Sequence, residues 1–410
     1  MKKKRKIKVS VISSILLLIL QGSCTSSKLL QNNNFASDML AGSMKALTGI
    51  QVYGANPDSI HLYLEIDPSL LKPQALPDGL EFLSLSLRWM IFSSFSEKSI
   101  IDSSTFRTGP LSPHQSEKLI FEHSLKAPRG KSYYLCYKPS SDRYRNWNIM
   151  WIDRTNEQSH NHFLITLSDS TLIFRSEELF DKPLYIYHSV PTDNTNLFLR
   201  RINLCSCTPS PPFALKVGAC KIRFDSIKTI RIHHGKSEEF LLENPGLYFI
   251  QIDTNLIGAG SFLVLNPEFR HLLIKASSRY ISDNDEFRDI WLGNIGLLDF
   301  WENIAGSTQR TIELSKRFSY AVNQSNLLFT RALPGCLTDR GMIYIVFGPP
   351  NAIYEDNELE TWVYREFRQK RDLIFNFKKE WIFPIGLEYR LDRRAEYTQI
   401  WYEAIERWRR

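Results

Sequence analysis

Between Ile50 and Leu265 the chain reads as one short strand-like run after another, the clearest of them with apolar residues at every second position, and this pattern restricts the fold more than any other feature. Ile60, Leu62, Leu64 and Ile66 alternate with His61, Tyr63 and Glu65. Leu83, Leu85, Leu87, Trp89 and Ile91 alternate with Ser84, Ser86, Arg88 and Met90. Successive side chains of a strand point to opposite faces, so each such strand has one buried and one wetter face, as in antiparallel sheets. Short β-branched and aromatic runs continue at Tyr133–Tyr137, Phe163–Leu167, Leu184–Tyr187, Phe213–Val217, Leu247–Asp253 and Gly258–Leu265. Proline, Asn and Asp clusters part them, and Pro245-Gly246 marks one turn. A strand series without helical periods predicts β-sandwiches. The span is longer than one sandwich commonly needs, so two are expected, over 49–170 and 171–267.

After Asn266-Pro267 the period lengthens. Asp285 to Ile304 reads as helix, with Gly306 as its stop. Ser307 or Thr308 caps a second helix running to about Asn326, with Leu314, Phe318, Ala321, Ser325 and Leu328 on one face. Met342–Phe347, Thr361–Tyr364 and Leu373–Phe377 read as short strands, and a helix with Tyr397, Trp401, Ile405 and Trp408 on one face closes the chain. Residues 268–410 are therefore expected to be an α+β domain with helices packed on a small antiparallel sheet, completing a mixed, multidomain chain. Six of the nine tryptophans lie beyond residue 290, which predicts an aromatic core there.

Residues 1–23 carry Lys2, Lys3, Lys4, Arg5, Lys6 and Lys8 and no acid, ahead of an apolar run from Val9 to Leu20. As a helix that run rises about 18 Å, short of the roughly 30 Å hydrocarbon core of a bilayer. The layout is that of a secretory signal peptide. Gly22 and Ser23 directly before Cys24 resemble a bacterial lipobox, although Leu20 sits one place further out than usual, with Gln21 in its position. The resemblance implies cleavage before Cys24 and lipid attachment there; an ordinary signal peptide is the plainer alternative. Two or more acyl chains, at about 0.8 kcal/mol per buried methylene, give a stable membrane anchor. The Ser-, Asn- and Gln-rich stretch within residues 24–48 then forms a flexible tether. Thr25 in place of an aspartate favours the outer membrane, facing the periplasm, by analogy with better-known lipoproteins.

The net charge of +7 comes largely from the leader, since the 45 Lys and Arg beyond it nearly balance 44 Asp and Glu. A body with so little net charge has no long-range field to gather phosphates, so no nucleic-acid partner is expected. Six cysteines in 410 residues are too few for a disulfide-built scaffold. In an oxidising compartment one bridge is expected among Cys205, Cys207 and Cys220, with either of the first two reaching Cys220 across a hairpin. With Cys136 and Cys336 the thiols besides Cys24 number five, so at least one stays outside any intramolecular pair. His160 and His162 would share a strand face, yet no nearby Cys or second His pair completes a zinc set. His233 and His234 would point to opposite faces. Gly258-Ala259-Gly260 lacks the third glycine and the helix of a dinucleotide loop. No metal and no cofactor is expected.

The most informative string is Gly335-Cys336-Leu337-Thr338-Asp339-Arg340-Gly341, followed by Met342–Phe347 and then Gly348-Pro349-Pro350. Read alone it is a turn, an apolar strand and a second turn. Thr338 and Asp339 would satisfy backbone N–H groups at the strand entrance, Gly341 would permit positive φ, and Gly348-Pro349-Pro350 would drive the chain out of the sheet. This string resembles the GWxTD domain, a family found chiefly in envelope proteins of Bacteroidota. The likeness extends from about Trp291 to Arg410 and takes in Phe300-Trp301, the helix from Arg317 to Phe329, Glu360-Thr361-Trp362-Val363-Tyr364, and the closing run from Trp401 to Arg409. Cys336 stands where the family has tryptophan; a packing role survives that change and a stacking role does not. The resemblance implies an envelope protein with β-rich domains upstream and carries no established activity. The expected function is a non-catalytic binding or assembly role on a lipid anchor, with a protein or glycan partner. The alternatives are an envelope hydrolase with its site around Thr338–Gly341, or a glycan-binding module, which requires Trp362, Trp381 or Trp401 to face solvent.

Overall fold

The computed structural model describes residues 46–410 except 76, 78–79, 95–99, 141–147, 175–178, 191–194, 203–207, 216–222, 332, 369–370 and 383–385. The period-two segments at the start form β1 (Leu47–Tyr53), β2 (Ser59–Ile66), the short β3 (Gln74–Ala75) and β4 (Glu81–Phe82), then β5 (Ser86–Phe92), β6 (Asp102–Arg107), β7 (Leu119–Lys126), β8 (Ser132–Pro139) and β9 (Asn148–Asp153). A three-stranded sheet, β1-β2-β7, faces a four-stranded one, β6-β5-β8-β9, and all pairings are antiparallel. The alternation aims Ile60, Leu62, Leu64 and Ile66 of β2 inward, against Leu87, Trp89 and Ile91 of β5, and all seven are essentially inaccessible. Trp89 stacks on His123 at 5.4 Å, and Phe106 meets Phe121 edge-on at 5.4 Å, which ties one sheet to the other.

A second β region follows: β10 (Phe163–Leu167), β11 (Leu184–His188), β12 (Thr195–Ile202), β13 (Phe224–His233), β14 (Lys236–Ser237), β15 (Gly246–Gln251) and β16 (Gly260–Val264). They form one antiparallel sheet in the order β10-β11-β14-β13-β12-β15-β16. The sheet rolls until its edges meet: a Cβ on Gly260 of β16 would lie 2.6 Å from the Phe163 ring of β10. One core takes Phe163, Ile186, Leu199, Ile230, Ile250 and Val264 from six of its strands. His234 and Gly235, at φ 48° and 77°, form the two-residue turn from β13 to β14, so His234 stands in a turn instead of the expected strand. The described part of the strand expected at Phe213–Val217 is not extended: Pro211 to Ala214 make a turn, the Ala214 N–H donating to the Pro211 carbonyl at 3.1 Å, with Phe213 against Tyr402 at 5.7 Å.

Asn266 and Pro267 then start α1 (Pro267–Ser277), the Asn266 side chain accepting from the Phe269 N–H at 2.7 Å. The single helix expected over Asp285–Ile304 is two, α2 (Asn284–Leu292) and α3 (Leu297–Ala305), because Gly293 adopts φ 82° and caps the first. Gly306 ends α3 at φ 69°, as its position predicts, and α4 (Thr308–Phe329) follows. Past a 3-10 turn at Gly335–Leu337 comes the largest departure from the expectation: Met342–Phe347, read as a strand, lies in a helix, α5 (Asp339–Phe347). Residues Asp339 to Val346 are all buried, so no polar face exposes the helical period. The chain then forms a meander, β17 (Ala352–Glu355), β18 (Leu359–Arg368), β19 (Arg371–Ile382) and β20 (Gly386–Leu391), and ends in α6 (Tyr397–Arg409). Phe347 of α5 and Tyr397 of α6 pack on Phe375 of β19 at 5.1 and 4.8 Å, and Trp301, Phe318 and Trp408 form an aromatic knot. One continuous cluster joins this core to Phe92, Tyr134 and Cys136 of the first sandwich and to Leu247, Phe249 and Leu263 of the rolled sheet.

Candidate functional site

The Gly335–Gly341 string works as backbone joinery. Thr338 is the N-cap of α5; its Oγ1 accepts from the Gly341 N–H at 3.0 Å and donates to the Gly335 carbonyl at 2.7 Å. The expected positive φ at Gly341 is absent, and the need for glycine is close approach. A Cβ on Gly341 would sit 1.8 Å from the Gly335 carbonyl oxygen, and one on Gly335 would sit 1.8 Å from the carbonyl oxygen of Ser325 in α4. Three backbone segments therefore touch without side chains between them. Cys336 is completely buried in the core, and burial pushes its thiol up to about 12. Its N–H donates to Asn326 at 2.9 Å and its carbonyl accepts from the Tyr280 hydroxyl at 2.7 Å. Gly348 does adopt positive φ, 79°, and with Pro349-Pro350 it turns the chain from α5 towards β17.

Asp339 and Arg340 point to different partners. The Asp339 carboxylate accepts from both Arg393 terminal nitrogens, at 2.5 and 3.1 Å, and from the Leu391 N–H at 2.8 Å. Arg393 also donates to the Ser210 carbonyl at 3.0 Å, so this clamp reaches from α5 past the end of β20 to the rolled-sheet region. The Arg340 guanidinium lies 3.8 Å over the Tyr389 ring and 3.4 Å from Glu360, whose other oxygen accepts from the Trp362 indole at 2.8 Å. Glu355 accepts from Lys379 at 2.7 Å and from the Tyr389 hydroxyl at 3.0 Å. Burial, reinforced by the nearby Glu355, raises the Glu360 carboxyl, and Arg340, the Trp362 indole and Lys379 offset only part of that rise. The result is a buried network of charges and aromatic rings in which the Nε atoms of Arg340 and Arg393 have no partner.

A cavity of about 460 Å³ opens where the three parts meet. Its walls come from β1 and β9 of the first sandwich, from β10, β15 and β16 of the rolled sheet, and from the end of α4 and the β19–β20 hairpin. Trp151 and Trp381 meet edge to face at 6.0 Å on its lining. Trp381 is 53% exposed, whereas Trp362 and Trp401 are buried. None of Thr338, Asp339, Arg340 or Gly341 lines this cavity. Alternation and motif reading both missed it, because its residues lie far apart in the chain; Gly258 and Gly260, set aside as a failed phosphate loop, are the local sign of close packing beside it.

The other singled-out residues separate. His160 and His162 sit in a 3-10 turn instead of a strand: His160 lines the cavity, while His162 is buried with its Nδ1 at 2.5 Å from the Ser189 hydroxyl. Burial, with His188, Arg154 and Arg129 nearby, lowers His162 to about 3. No group of three His, Cys, Asp or Glu with metal-holding geometry occurs among the described residues. Cys24, Cys205, Cys207 and Cys220, with the anchor and the bridge expected of them, lie outside the described residues. No helix of the described residues is long and apolar enough to cross a membrane.

Residues 246–410 match the family model of the GWxTD domain. The match begins at β15, so it includes the last two strands of the rolled sheet as well as α1 to α6 and the meander. No curated protein matches the chain.

Proposed function

We propose that this chain, whose residues 246–410 are a GWxTD domain, is a lipid-anchored cell-envelope protein with a non-catalytic binding or assembly role. In this reading Cys24 carries the acyl chains, residues up to 48 form the tether, and the β regions hold the GWxTD domain off the outer membrane on its periplasmic face, towards a protein or glycan partner. The observation that supports a non-catalytic role most strongly is the closure of the motif. Asp339 spends both oxygens on Arg393 and a backbone N–H, and Thr338 spends its hydroxyl on a cap. A general acid or base must instead present its oxygen to a substrate.

Membranes crosslinked before affinity recovery of the intact lipidated protein test the role: co-recovery of a distinct partner is expected, and recovery of this chain alone contradicts it. Cys24→Ser is expected to move the protein out of the membrane pellet; unchanged fractionation and mobility would refute the anchor. The exposed indole of Trp381 favours a glycan as the second reading, and loss of glycan retention in Trp381→Ala is its check.

A further inference from the structure

Five strands that end their sheets contribute to the wall of the junction cavity: β1 and β9 of the first sandwich, β10 and β16 at the two ends of the rolled sheet, and β20 of the meander. The edge of a sheet carries backbone N–H and C=O groups without a ladder partner. The 3-10 turn His160–His162 caps three of these edges. Asn161 accepts from the Asp153 N–H of β9 through its side chain at 3.1 Å, and from the Gly54 N–H just past β1 through its carbonyl at 2.8 Å. His160 Nδ1 accepts from the Ser261 N–H of β16 at 3.4 Å. Towards the start of β1, Phe174 closes over Gly49, where a Cβ would lie 2.5 Å from its ring. Between these two closures lie Ile50, Gln51 and Val52, all on the cavity wall.

The pairing of β2 tells which way their backbone groups point. Lys126 of β7 lies opposite Ser59 and donates its N–H away from β2, to Asp102 at 2.7 Å. In an antiparallel ladder such a pair is not hydrogen-bonded, so the odd-numbered residues of β2 bond to β1 and the even-numbered ones to β7. Gln51 and Tyr53, opposite Tyr63 and His61, therefore bond to β2, while Ile50 and Val52 direct their N–H and C=O off the edge. The outward N–H of Gly54 keeps the same parity. Among the described residues the backbone groups of Ile50 and Val52 meet no partner, although Val52 is buried. Gln51 Oε1 is a further buried acceptor without a donor, its Nε2 being committed to the Ile173 carbonyl.

We propose that the cavity receives an extended, apolar peptide segment of a partner protein, which adds to the free edge of β1 as one more strand. Paired donors and acceptors at every second residue, about 7 Å apart, match the spacing that an extended chain presents. Its alternate side chains meet apolar groups of the cavity lining such as Leu164, Ile173 and Phe262. The volume lies within the range of ordinary ligand pockets. This gives the partner of the binding role a chemistry; it rests on that role and not on the lipid anchor.

The test screens the full chain carrying Cys24→Ser, so that no covalent lipid accompanies it, against a synthetic library of N-acetylated, C-amidated pentapeptides by affinity selection and mass spectrometry. Saturable one-to-one binders with apolar residues at alternate positions are expected. N-methylation of each amide of the best binder in turn is expected to weaken it about tenfold at alternate residues and to spare the residues between, because only every second N–H faces β1. Val52→Pro deletes one outward N–H and no bond of the β1–β2 ladder, and is expected to weaken the same peptide about tenfold. Thermal unfolding confirms that this variant is folded, and the N-methyl series reads the same contact on the unmutated edge. Absence of any saturable binder overturns the proposal. So does binding indifferent to the position of the N-methyl group, or unchanged in folded Val52→Pro. Crosslinked recovery of a partner reads the binding role independently, so a partner recovered without any peptide binder would refute this site and leave the role standing.

Discussion

The first sandwich and the GWxTD domain both bury many large side chains, but they fix their interiors differently. In the sandwich the two sheets meet through aliphatic rows such as Ile60, Leu62, Leu64 and Ile66, with aromatic contacts at the flank. In the GWxTD domain the aromatic core surrounds buried charges: Asp339 with Arg393, Arg340 with Glu360, and Lys379 with Glu355. Apolar rows are non-directional and tolerate small shifts. Buried ion pairs are not, because either charge left alone keeps its full desolvation cost. The two regions should therefore respond to mutation in different ways.

The largest effect should come from Gly341→Ala, because the new methyl has only the Gly335 backbone to push against. A loss beyond about 5 kcal/mol is expected, seen as failure of the GWxTD domain to fold cooperatively in urea. An alanine variant of ordinary stability would mean that the three backbones do not touch. Next, Asp339→Asn should cost about 3–5 kcal/mol by stranding the buried Arg393. Leu64→Ala, in the sandwich, should cost about 3 kcal/mol through a cavity alone, and chemical unfolding should show that cost to be the same at low and high salt.

The smallest effect is a pH slope set by His162, between the sandwich and the rolled sheet. Folding holds its imidazole at about 3 against 6.5 for the free side chain, so between those values the unfolded chain binds a proton that the folded chain refuses. Stability is complete above pH 6.5 and falls with acidification, by up to about 1.4 kcal/mol per pH unit from this group. His188 is lowered too and acts in the same direction. Urea midpoints between pH 7 and 5 should fall less steeply in His162→Gln than in the parent; an equal slope would place His162 in contact with water.

What the sequence revealed follows the same division. The sandwich was legible because each strand has one wet face, and the period of two follows from that. The C-terminal aromatic helix was legible for the same reason, with Tyr397, Trp401 and Trp408 inward and charged residues outward. In α5 there is no wet face, so six apolar residues in a row carried no period, and the Thr338 cap was taken for the start of a strand. The split at Gly293 was missed because helical composition resumes directly after it. For the motif, the structural reasons for glycine and aspartate are long-range. Gly341 answers to Gly335, and Asp339 to Arg393, 54 residues away. The cavity draws on segments from Ile50 to Leu387, which no local pattern could bring together.

The central claim is that the motif's carboxylate is a structural clamp. A double-mutant cycle with Asp339→Leu and Arg393→Met, read by urea unfolding of the full chain, tests it most directly. The account predicts that each single change is severe, that the pair together recovers much of the loss, and that the coupling energy reaches about 3 kcal/mol. Additive effects with a coupling near zero would contradict it and return Asp339 to the list of groups free to act on a ligand.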